Sequence, residues 1–180
     1  HDYGPNDGNR SYIHKDWAQK AFELFWGNPS YGLPDLNGGI TTSFSFNDID
    51  YFLLDNRYFR SDHTVKQDKQ GIFGEDQSNW LIEALKFSKS PFKIVATGGQ
   101  FLSSFAEYEN HSLFKEERKD LIRRIEKEGI TGVIFLSGDR HSTELSLVKL
   151  KKGNMIYDLT ASPLTSGSYD HNDEPNKNRV

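Results

Sequence analysis

Ser137-Gly138-Asp139-Arg140-His141 sets a carboxylate and an imidazole two residues apart, directly after the apolar run 133–136. Four consecutive apolar residues bounded by Gly132 and Ser-Gly read as a buried strand. In an open α/β sheet, ligands and catalytic groups collect at the carboxyl end of such strands. Asp and His at that place can direct their tips into one small volume, as a metal or phosphate-handling site requires. The structural alternative is turn chemistry, with Asp139 closing a loop and His141 at the surface.

Polar groups stand after other apolar runs as well. Residues 49–54 end in Asp55-Asn56-Arg57-Tyr58-Phe59-Arg60, where two guanidinium forks suit either an anion clamp or surface ion pairs. Residues 91–96 end in Thr97-Gly98-Gly99-Gln100, paired glycines that let the backbone run close to a ligand with Gln100 beside it. This is not the spacing of a phosphate-cradling Walker loop, and no Lys-Ser/Thr follows it. Residues 1–10 form a Gly/Pro/Asn/Asp loop rich in oxygen and nitrogen donors, or simply a disordered terminus.

The elements that must position these groups alternate between helix and strand. Asp16 reads as an N-cap, and Trp17, Ala18, Ala21, Phe22 and Phe25 make a helical stripe expected to face the core, ending before Gly27-Asn28-Pro29. Residues 42–46 and 49–54 flank Asn47-Asp48 as a β-hairpin. Glu75 and Asp76 open a helix that buries Trp80, Leu81, Ala84 and Leu85. His111 is expected at the surface. Residues 115–128 form a charged helix burying Leu121, Ile122 and Ile125, with Gly129 as its stop. A second hairpin follows over 143–160, and 166–180 is a loop or frayed tail. The class is α/β with a mixed sheet, in one domain of 180 residues.

Composition narrows the partners. A net charge of −4 leaves no basic footprint, so no nucleic-acid partner is expected. No apolar run reaches membrane-spanning length, so no transmembrane segment is expected. The absence of cysteine removes thiolate ligands and a Cys nucleophile, and leaves hard or borderline metals as the fit to Asp, Asn, Gln and His donors. The chain begins at His1, with no initiator Met, and an N-terminal portion is expected upstream.

These motifs, in order, resemble the PhoD-type alkaline phosphatases, within the calcineurin-like metallophosphoesterases. His1-Asp2-Tyr3-Gly4-Pro5-Asn6-Asp7 is similar to the end of that family's Trp-Asp-Asp-His-Asp motif. Leu54-Asp55-Asn56-Arg57 resembles its Asp-x-Arg segment, and residues 74–81 its Gly-x-x-Gln-x-x-Trp-Leu helix start. Residues 137–141 resemble its Ser-Gly-Asp-x-His motif. The resemblance runs from residue 1 to about 165. It implies a mixed β-sandwich flanked by helices, the four-layer αββα arrangement, here lacking its N-terminal part.

The resemblance also implies a site of two divalent or trivalent metal ions (Ca, Fe, Zn or Mn) that hydrolyses a phosphoester through metal-bound hydroxide. Asp139 and His141 match metal-binding positions, and Gln100 falls where the superfamily places a histidine ligand. His1 matches the histidine that assists the leaving group. Arg57 would stabilise charge on the equatorial oxygens, and Asp2, Asn6 and Arg60 are assigned to substrate binding. The family's upstream Asp-x-His and Asp-rich elements have no counterpart in residues 1–180, so the missing N-terminal segment of the same protein is an expected partner. A periplasmic or secreted location follows from the resemblance alone. The alternatives are a non-catalytic binding module that retains the fold and a single-metal hydrolase using Asp139, His141 and Gln100.

Overall fold

The computed structural model describes residues 3–180, the side chain of Lys152 excepted. The expectations placed on His1 and Asp2 therefore lie outside the described residues. The elements run α1 (Lys15–Phe25), β1 (Thr42–Phe46), β2 (Ile49–Leu53), α2 (Gly74–Phe87), β3 (Phe92–Ala96), α3 (Lys115–Lys127), β4 (Val133–Ser137), β5 (Thr143–Lys149) and β6 (Met155–Ala161). The six strands form one mixed sheet in the order β1-β2-β3-β4-β6-β5. β2, β3, β4 and β6 are parallel neighbours, while β1 and β5 close the two edges antiparallel. The α/β class and mixed sheet are as the sequence implies. Both expected hairpins form, the first turning at Asn47 with φ +51°.

The crossovers β2–α2–β3 and β3–α3–β4 place the apolar stripes of both helices on one face of the sheet. Leu81, Ile82 and Leu85 of α2 join Leu121 and Ile125 of α3 over Phe52, Val95, Val133, Phe135 and Ile156. The opposite face is apolar too, but Ile134 and Leu136 of β4 are only half buried. The run 133–136 is therefore buried on one side, and among the described residues no second sheet packs on the other. One of the two layers of the expected sandwich is on view.

Helix α1 departs from expectation. His14, not Asp16, is its N-cap, and no side chain caps it. Asp16 sits one residue inside the helix and accepts a 2.7 Å hydrogen bond from the Tyr58 hydroxyl. The helix buries none of its residues, and Trp17 and Phe25 are 70% and 82% exposed. Its aromatic stripe has the right period for a core face, but no described element packs over it.

His111, expected at the surface, is 1% exposed. Its ring lies against Phe73 and Phe101, centroids 4.5 and 4.9 Å away, and Nε2 meets Glu117 Oε2 at 2.8 Å. The Glu117 carboxylate also accepts the backbone N–H groups of Ile72, Phe73 and Gly74 at 2.7, 3.3 and 2.9 Å. A residue of α3 thus satisfies the unpaired donors at the start of α2. The tail is a loop tied down, not frayed: Arg179 bridges to Ser146, and the Val180 N–H donates to the Leu145 carbonyl at 3.0 Å.

Removing Glu117 strands three backbone donors and the His111 ring at once. Glu117→Ala is expected to cost about 3 kcal/mol, read as a lower urea midpoint at unchanged slope. A loss below about 0.5 kcal/mol, the range of an ordinary surface substitution, would contradict this cap.

Candidate functional site

The helix-covered face of the sheet changes character at its carboxyl end. Val95 is followed two residues on by Thr97, Phe135 by Ser137, and Ile156 by Asp158 and then Thr160, all of these polar groups being buried. Asp158 holds this end together. Its Oδ2 accepts the backbone N–H groups of Phe101 and Leu102 at 2.8 and 2.7 Å, and its Oδ1 the Ser137 hydroxyl at 3.1 Å. Burial pushes the Asp158 carboxyl above its ordinary range, and these hydrogen bonds only partly offset that. The loop leaving β3 is pinned in this way beside the end of β4.

Gln100 belongs to this pinning. Its Nε2 donates to Thr160 Oγ1 at 3.0 Å and Glu144 Oε1 at 3.2 Å, while Oε1 is buried with no partner. Gly98 admits a close neighbour: a Cβ there would stand 2.5 Å from Asn56 Nδ2. Asp55, the other strand-end carboxylate, is an organiser of backbone. It accepts the N–H groups of Arg57 and Tyr58 at 2.8 Å each and of Ile40 at 3.0 Å.

Asp139 and His141 both carry left-handed backbone, φ +68° and +53°. Two non-glycine residues there, flanking one position, are a concentration of strain that needs support. Arg140 between them supplies it. Its side chain is buried, paired with Glu174, 3.2 Å from His171 Nδ1, and centred 4.3 Å over the Tyr108 ring. The His141 ring stacks on Tyr169, centroids 5.1 Å apart, and its Nδ1 lies 2.7 Å from the Gly167 carbonyl. A carbonyl only accepts, so Nδ1 donates here, and in the neutral ring the lone pair is then on Nε2. That is the tautomer a metal-ligating histidine needs. Among the described residues the Asp139 carboxylate accepts no hydrogen bond.

A pocket of about 470 Å³ opens at these strand ends. Ala18, Ala21, Phe22 and Phe25 of α1 form one wall with Trp26 and Ile40, so the stripe expected in the core, Trp17 excepted, faces this space. The other wall carries Asp139, Arg57, Arg60, Asp7 and Glu109. Neither Gln100 nor His141 lines it, nor does Asn6, which is exposed in the loop before Asp7.

The two arginines do not face empty solvent. Arg57 grips Glu109 with both Nη atoms, Nη2 lying 2.9 Å from Oε2, and Arg60 reaches the same carboxylate with Nη1. Arg60 is 2% exposed, and its Nε is buried without a partner among the described residues. Burial alone would push the Glu109 carboxyl up, but hydrogen bonds from Arg57, Asp7 and Arg60 outweigh it and hold it down at about 2. Asp7 is raised in turn, chiefly by its hydrogen bond to Glu109. Asp7 and Glu109 were not marked by the sequence. The signal for Glu109 was its loop, which leaves the end of β3, but its charge is not beside the strand.

As metal donors the described residues are incomplete. No group of three His, Cys, Asp or Glu among them could hold an ion. Asp139 and His141 carry donor types that hard or borderline metals accept.

Glu109, with a depressed folded-state value, stabilises fully above its ordinary 4.5 and loses that contribution as pH falls towards about 2. Asp7 acts with the opposite sign, which leaves a net loss on the order of 2 kcal/mol. Denaturant unfolding between pH 4.5 and 2 is expected to show this loss in the wild type and not in Glu109→Gln. Parallel curves for the two proteins would contradict the cluster.

Against known proteins, the model of the family described as PhoD-like phosphatase matches residues 9–180. No curated protein matches the chain. The solved structure described as "Structure of PhoD" aligns with a TM-score of 0.69 and 18% identity, over 83% of this chain and 34% of that one. The likeness shows a shared fold, and the aligned part is about a third of the solved chain's length.

Proposed function

We propose that this chain, which belongs to the PhoD-like phosphatase family, carries the strand-end portion of a metal-dependent phosphoester hydrolase. Family and fold together suggest phosphoester hydrolysis. The observation that carries the finer reading is one pocket at the carboxyl ends of β2, β3 and β4, where Asp139 meets the Arg57–Arg60 fork. Repeated placement of charged groups at the ends of parallel strands is what a catalytic centre in this fold class uses.

Asp139 and His141 would be ligands of the proposed two-metal site, the remaining ligands coming from another part of the same protein. When bound, such ions supply Lewis acidity and an activated water. This chain's own residues do the rest. Arg57 binds the phosphoryl oxygens and orients them through its planar fork. Arg60, buried and fixed, holds the second guanidinium beside it. The stacked and hydrogen-bonded His141 keeps its proton on Nδ1 and presents Nε2. The apolar wall from α1 keeps water from that side of the pocket. His1 is proposed to protonate the departing alkoxide, and Asp2 and Asn6 to contact substrate from the first loop. Gln100 supports the loop by donating its Nε2 to Thr160 and Glu144, while its Oε1, unpartnered among the described residues, is the atom that would serve as the proposed metal ligand. A further part of the protein is also proposed to cover the apolar second face of the sheet, as the one-third span of the solved PhoD chain supports.

The test is hydrolysis of p-nitrophenyl phosphate and bis-p-nitrophenyl phosphate by the full-length protein. Arg57→Gln is expected to lower kcat/KM by about 10²-fold, and Asp139→Asn by at least as much, with unfolding midpoints kept near wild type. Full activity in Asp139→Asn would overturn the assignment. An ordered fold, no hydrolysis of either ester and retained metal would favour the binding-module alternative.

A further inference from the structure

The arginine fork is already occupied. Glu109 fills it with a planar anion, held by both Nη atoms of Arg57 and by Arg60. From this geometry we infer that Glu109 is a displaceable internal counter-ion, standing in for the phosphoryl group until an anionic ligand takes its place. This rests on the reading of Arg57 as a phosphate-binding residue.

Charge argues for displacement over permanent pairing. Two guanidinium groups share the single Glu109 carboxylate. A phosphate dianion matches the pair, and its third and fourth oxygens can reach what a carboxylate cannot. The Arg60 Nε, buried and unpartnered among the described residues, is a donor that Glu109 leaves unused. A buried donor without an acceptor is costly, and the ligand that satisfies it gains accordingly.

The loop is built to let go. Tyr108 and Glu109 are consecutive left-handed residues, φ +50° and +62°, a conformation that non-glycine residues adopt only under restraint. Tyr108 is 61% exposed and bears on the rest of the protein through its ring under Arg140. The arginines differ in the same sense: the Arg57 side chain is 26% exposed and lines the pocket mouth, while Arg60 is locked at 3%. Glu109 thus leaves with a strained loop tip, and Arg57 is the jaw that can follow the ligand. Until then the carboxylate keeps two like charges together, so the fork is formed before substrate arrives.

Calorimetric titration of the full-length protein with inorganic phosphate tests this without turnover. Glu109→Gln, which keeps shape and removes charge, is expected to bind phosphate about tenfold more tightly than wild type. Glu109→Asp, which keeps the charge, should stay near wild type. Adding Arg57→Gln to Glu109→Gln should abolish the gain. Binding by Glu109→Gln no tighter than wild type, or a gain that survives loss of Arg57, overturns the inference. Should Glu109→Gln fail to fold, hydrogen exchange in the wild type decides. Saturating phosphate should speed exchange of residues 104–109 if Glu109 is released, and unchanged or slower exchange there counts against it. Ester hydrolysis measured on the same samples reads the phosphoesterase assignment separately, since phosphate can displace Glu109 whether or not the protein turns over.

Discussion

The carboxylate of Asp158, buried in the sheet and accepting two backbone N–H groups and a hydroxyl, is the constraint on which the site depends. An ionised group there would be expensive in an apolar core. Its hydrogen bonds make it tolerable and draw the β3 exit loop down onto β6 and β4. Everything the pocket uses follows from that attachment. Gly98 lies against Asn56 and Gly99 against the Glu109 backbone, Glu109 reaches the arginines after β2, and Tyr108 comes under Arg140 in the segment after β4. Three loops from three parallel strands thereby share one space.

Strain is the second constraint. Asp139 and His141 flank Arg140 in a backbone conformation their side chains disfavour, and Tyr108 and Glu109 repeat the pattern on the neighbouring loop. The two are physically linked, because Arg140 is what holds both: it is anchored to Glu174 and His171 and covered by Tyr108. A fold that keeps four such residues at one rim has something to position there.

How much of this was legible in the sequence depended on whether the signal was local. The apolar runs 92–96 and 133–136, the turn at Asn47 and the stop at Gly129 fix the strands, hairpin and helix end from nearest neighbours alone. The placement of Asp139 and Arg57 after strands pointed to the pocket for the same reason, while His141, marked by the same signal, does not line it. What failed was long-range. The period of α1 shows that a face is apolar but not what it faces, and here it walls a pocket. His111 looks like a surface residue until Phe73, Phe101 and Glu117, distant in sequence, close around it. Glu109 carries no mark beyond its place in a loop that leaves β3, since its partners lie 52 and 49 residues away.

The proposed function gives these residues a common purpose, and metal is where that proposal is most directly exposed. The decisive measurement is the metal content of the purified full-length protein, by elemental analysis, in the wild type and in Asp139→Ala combined with His141→Ala. The account predicts about two ions per chain in the wild type and a loss of at least one of them in the variant, with the fold intact. The same metal content in both proteins would contradict it, because the rim of β4 would then hold no ion.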